Sequence, residues 1–136
     1  MSQSQLLRIK REQTADVAVL KCTGRIVRGA EIQLLKNAVI GLPGMRVIVL
    51  DLSGVEVLDC GGLGILVLLQ CWTQSNGIQF KIVNPSKLAR EMFERTGLTR
   101  VLHISSLDDA MDVLRWSDNS ALNVNAVGNR SLAAQV

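Results

Sequence analysis

The chain has 136 residues, 48% of them apolar and 20% charged, with a formal net charge of +3. That length builds one domain with a real core, and the composition is that of an ordinary globular protein. The cations are scattered and only 3% of residues are aromatic, so nothing interleaves rings with charge in the way nucleic-acid binding favours.

Taken in order, Leu6-Leu7-Arg8-Ile9-Lys10-Arg11 alternates enough to predict an edge strand, and Val17 to Cys22 a more apolar second one. Thr14-Ala15-Asp16 turns between them, so the two pair as an antiparallel hairpin, and Gly24 is expected to stop the second strand. Ile32, Leu35, Ala38 and Val39 recur at helical spacing, which predicts an amphipathic helix from Gly29 to Ile40. Gly41-Leu42-Pro43-Gly44 ends it. Val47-Ile48-Val49-Leu50 is a β-branched apolar run of the kind buried on both faces of a parallel sheet, with Asp51 and Ser53-Gly54 expected to close it.

Asp59 is a plausible N-cap for a helix entered through Cys60-Gly61-Gly62 and continued by Leu63 to Leu69. That apolar run is far short of the roughly 20 residues a membrane helix needs. After Asn76-Gly77 a strand covers Ile78 to Val83, and a helix covers Ser86 to Thr96 before Gly97. Val101 to Ile104 makes a last strand, and Ser106 caps a final helix with Leu107, Ala110, Met111 and Leu114 on one side. From 117 to 136 periodicity is lost and a loose polar tail is expected. Repeated βα units demand right-handed crossovers, hence a mostly parallel sheet.

The cysteines, Cys22, Cys60 and Cys71, lack metal-ligand spacing, and His103 is the only histidine. No metal, cofactor or disulfide framework is expected. The N-terminus, MSQSQLLRIKREQ, has no hydrophobic signal region, which makes a cytoplasmic location the default. No paired carboxylates or nucleophile–base set can be read out, so an enzyme is not expected.

Asp51-Leu52-Ser53-Gly54-Val55 followed by Asp59-Cys60-Gly61-Gly62-Leu63-Gly64 resembles the signature of STAS domains of the anti-sigma factor antagonist type. Lys87, Phe93 and Thr96-Gly97-Leu98 are similar to that family's third helix. The resemblance implies an α/β, STAS-like fold over residues 1–116: a mostly parallel four- to five-stranded sheet, an N-terminal antiparallel hairpin and about four helices. It also implies a bacterial, transcription-regulating interaction module whose partner is an anti-sigma factor or related serine kinase-type protein. In such antagonists the loop reads Asp-Ser-Ser-Gly, and the partner kinase phosphorylates the second serine. A phosphate there sits at a helix N-terminus, yet puts about −1.5 to −2 of charge into the docking surface.

Here Gly61 stands at the phosphorylated position and Cys60 at the serine before it. Glycine has no hydroxyl, so this phospho-switch is excluded. Related antagonists often carry an acidic residue in the loop after Gly24, where this chain reads Arg25-Ile26-Val27-Arg28. The partner-binding residues expected are Asp59, Cys60, Gly61, Gly62, Leu63, Val67 and Arg25, with Leu63 and Val67 on an outward helix face. Cys60 reads either as a sensor thiol or as a small filler, and Ser53 either as a substitute phosphosite or as a turn residue. A homodimer is a further expectation. The alternative function is a module that binds nucleotide or lipid at the glycine-rich helix entry, or a scaffold in a transport or signalling complex.

Overall fold

The computed structural model describes residues 6–105, arranged as a five-stranded mixed sheet with three α-helices. Strand β1 (Arg8–Thr14) pairs antiparallel with β2 (Val17–Ile26), and the tight turn between them places Ala15 at a φ of 53°. Helix α1 (Ala30–Ile40) leads to β3 (Val47–Leu58), α2 (Cys60–Ser75) to β4 (Gln79–Val83), and α3 (Lys87–Thr96) to β5 (Ile104–Ser105). The sheet order is β1-β2-β3-β4-β5, with every pair after the first parallel. Right-handed crossovers along such a sequential order put all three helices on one face.

That face holds the main core: Leu20, Ile48, Leu50, Phe80 and Ile82 from the strands meet Leu35, Leu66, Leu69 and Phe93 from the helices. A second, smaller cluster of Val17, Val47, Val49 and Val83 occupies the other face and is also buried. Valines alternate with larger aliphatics along the first part of β3, and both faces there are apolar, as expected of an inner parallel strand.

Two strand boundaries differ from the expectation, for one reason. Asp51, Ser53 and Gly54 do not end β3, and Gly24 does not end β2. The Asp51 Oδ1 accepts the Ser53 N–H at 2.8 Å, the local bond that normally makes a turn. Here it makes a bulge: Asp51 pairs with Lys21 and Gly54 with Thr23, so β3 spends three steps where β2 spends two. Beyond it the strands re-pair out to Ile26 and Leu58. Gly24 is needed because a Cβ there would collide with the Leu6 carbonyl oxygen.

The last strand is also shifted. Leu98–Arg100 form a single 3-10 turn after Gly97, so pairing begins only at Ile104, against Ile82. Gln70, buried in α2, fixes this edge: its Oε1 accepts the His103 N–H at 3.1 Å, and its Nε2 lies 3.3 Å from His103 Nδ1. The helix expected from Ser106, and the tail from 117 to 136, lie outside the described residues. No described helix is long and apolar enough to cross a membrane.

Candidate functional site

The long β3 carries the chain to the carboxyl rim of the sheet, where α2 starts. Asp59 is extended, with φ −107°, and caps α2 by accepting the Gly62 N–H on Oδ1 at 2.8 Å. Its other oxygen, Oδ2, accepts the Arg28 N–H at 3.1 Å, thirty-one residues away. One carboxylate therefore caps a helix and latches the β2–α1 loop onto it. Partial desolvation would raise the Asp59 pKa. The Gly62 and Arg28 N–H groups, the Arg28 charge and the Gly61 N–H outweigh it and hold the carboxyl below its ordinary value.

The latched loop leaves little room above the glycines. A Cβ on Gly61 would lie 3.1 Å from Ile32 Cδ1 and 3.2 Å from Arg28 Cβ. A Cβ on Gly62 would strike the Ile26 carbonyl oxygen and come within 2.8 Å of Leu58 Cδ1. Gly62 is thus a packing residue, whereas Gly64 has nothing within 4 Å of a built Cβ and faces outward.

The expected site residues divide accordingly. Asp59, Cys60 and Gly61 come together at the rim, and Cys60 is exposed, which rules out the filler role. Gly62 and Leu63 turn inward instead; Leu63 is 6% exposed and belongs to the main core, so it cannot present an outward docking face. Val67 is half-buried against that core. Arg25 sits in β2 opposite Val57, half-buried, and it is Arg28 that reaches the α2 entry. Ser53 is exposed beside the bulge. Cys22 is buried, and burial together with the nearby Asp51 charge pushes its thiol up to about 12, which leaves it unreactive.

The sequence reading missed the true outward stripe of α2. Cys60, Gly64, Leu68 and Cys71 are exposed, Leu68 at 45%, and recur at i, i+4, i+8 and i+11 on one side of the helix. Over its sixteen residues α2 bears no charged side chain at all. The signal was present in the spacing, but an all-apolar helix offers no polar face to orient it by.

A family model for the STAS domain matches residues 8–110. The chain belongs to the STAS domain family. Among solved STAS structures, an anti-sigma factor antagonist from Mycobacterium paratuberculosis is 26% identical with a TM-score of 0.69, covering 85% of this chain and 99% of that one. A candidate anti-sigma factor antagonist from Thermotoga maritima is 27% identical with a TM-score of 0.66, covering 79% and 94%. A murine anion transporter, Solute Carrier 26 family member A9, shares the fold over 76% of this chain and 18% of its own, at 20% identity and a TM-score of 0.63. Among curated proteins none matches the sequence.

Proposed function

We propose that this STAS domain is a non-enzymatic anti-sigma factor antagonist that acts by occupying a serine kinase-type regulatory protein, without a phospho-switch at its α2 entry. The observation that carries the reading is the uncharged α2 helix, which starts at the Asp59–Arg28 latch and turns Gly64, Leu68 and Cys71 to water along its length. Uncharged, apolar exposed surface of this kind favours contact with a partner. Likeness to the two bacterial antagonists supports the choice of partner. The absence of a hydroxyl at Gly61, and the closeness of Arg28 and Ile32 to it, support regulation by abundance or competition. The same closeness counts against the alternative in which nucleotide or lipid enters there.

The test is affinity capture from the native cell lysate with wild-type and Leu68→Asp proteins. Capture of a serine kinase-type regulator by the wild type, lost on Leu68→Asp with unchanged circular dichroism, supports the proposal; capture indifferent to the substitution overturns it. Incubating wild type with that kinase and ATP should leave its intact mass unchanged, while Gly61→Ser gains a phosphoryl group. An adduct on Ser53 of the wild type would show that the switch had moved rather than vanished.

A further inference from the structure

On the opposite face of the sheet from the helices, the register of β1 and β2 sets Lys10 directly against Lys21, with the pair Arg8 and Thr23 beside it on the same side. Side chains so opposed have Cβ atoms about 4.5–5.5 Å apart, and like charges there are destabilising. Arg8, Lys10, Lys21 and Thr23, all exposed, line one cleft of about 300 Å³, completed by Ile9. Among the described residues no carboxylate forms an ion pair with any of the three cations.

The nearest candidates for neutralisation are otherwise placed. Asp51 pairs with Lys21 from the β3 side, but it is 7% exposed and one of its oxygens is taken by the Ser53 N–H. Glu12 lies two residues further along β1 on the same face, opposite Val19, and does not line the cleft. Charged side chains on an edge strand can simply guard it against pairing with other chains. That purpose is met by β1 alone, through Arg8, Lys10, Arg11 and Glu12. It gives no reason for Lys21, on an interior strand, to face Lys10.

We infer that this cleft is an anion site for a ligand bearing adjacent phosphate groups, separate from the α2 surface. Three cationic side chains and Thr23 line one opening, which suits a multiply charged phosphate oxygen cluster through charge-assisted bonds. The bound anion supplies a counter-charge that none of the residues lining the cleft provides. Two sources share this chemistry, a soluble oligophosphate and a phosphate headgroup displayed by a lipid.

The experiment uses the full chain, with tripolyphosphate as the probe and sodium chloride at matched ionic strength as the reference. Tripolyphosphate should raise Tm beyond the salt reference, by mass action on the folded state. The double variant Lys10→Gln/Lys21→Gln should weaken binding roughly tenfold or more in calorimetry. Without ligand its Tm should equal or exceed that of the wild type, because a repulsion has been removed. Lys87→Gln, on α3, should bind as the wild type does. Flotation with phosphatidylcholine vesicles, with and without phosphatidic acid, separates the sources. Flotation that needs both phosphatidic acid and the two lysines assigns a lipid headgroup; tripolyphosphate binding without flotation assigns a soluble ligand. A Tm rise no larger than that of salt, or one unaltered in the double variant, overturns the site and leaves the cations as edge guards only.

Discussion

Helices α2 and α3 lie on the same face of the sheet and both start on a side-chain cap, yet they treat water in opposite ways. In α3, Ser86 accepts the Ala89 N–H, Ala89 and Phe93 are buried, and Lys87, Arg90, Glu91, Glu94 and Arg95 are all exposed. Its left-handed Gly97 closes it, and nothing on its outer side asks for a partner. In α2 the cap also holds a distant loop, and the outer side offers Gly64, Leu68 and Cys71 with no charge among them. One helix meets solvent with charge; the other meets it with an uncharged stripe. The comparison also separates three glycines in one turn and a half, since Gly62 is locked in, Gly61 is closely covered and Gly64 is open.

The hardest blow to α2 is Gly62→Ala. The methyl has nowhere to go between the Ile26 carbonyl and Leu58, so loss of about 3 kcal/mol or more is expected in urea unfolding. A loss under about 1 kcal/mol would mean that the α2 entry is looser than its packing indicates. Next comes Leu68→Asp, which puts a charge in place of the outward stripe's largest apolar side chain. It should weaken partner binding by about 2 kcal/mol, roughly thirty-fold, with unfolding midpoints unchanged. Glu91→Ala and Glu94→Ala on α3 should leave binding as it was. If the α3 pair matters and Leu68 does not, the contrast between the helices is reversed.

Asp59→Ala removes a cap and a latch together and should destabilise by about 1 kcal/mol. The pH dependence follows from its direction of shift. Because folding holds the Asp59 carboxyl below its ordinary value, the stabilisation is present above the normal carboxylate range near about 3.9 and is lost as pH falls through the lower folded value. Hydrogen exchange at the Arg28 amide should therefore accelerate on acidification in the wild type. In Asp59→Ala it should be fast at every pH, once the intrinsic rate is removed.

Much of this architecture was legible because local chemistry and final structure agree. Ser86 and Gly97 bracket α3 as their preferences dictate, and the alternation of β4 and the apolar run of β3 announced a mostly parallel sheet. The failures come from contacts that sequence spacing does not carry. Asp51, Ser53 and Gly54 are turn formers, and their turn-like bond did form. The longer pairing of β2 with β3 absorbed it as a bulge. Leu63 was assigned outward and lies inward because α2 has no polar stripe to set its rotation; only the neighbouring sheet decides that. The Asp59–Arg28 latch spans two elements, and the Lys10–Lys21 opposition depends on hairpin register.

Gly64→Ala is the subtlest test, and the one that bears most directly on what α2 is for. In the middle of an exposed helix surface glycine is worth about 0.5–1 kcal/mol less than alanine, because it loses more backbone freedom on folding. Beyond its own helical backbone and chain neighbours nothing lies within 4 Å of the added methyl, so folding alone should favour the alanine by that amount. A glycine kept there for packing within the chain would show no such gain. A glycine that lets a partner's backbone approach the helix closely would show the gain in stability together with weaker capture, because the methyl fills the gap between the two surfaces. Thermal unfolding and binding affinity measured on the one variant thus separate the two roles. Opposite signs in the two measurements mark Gly64 as part of the contact; a gain with unchanged capture places the contact further along, at Leu68 and Cys71.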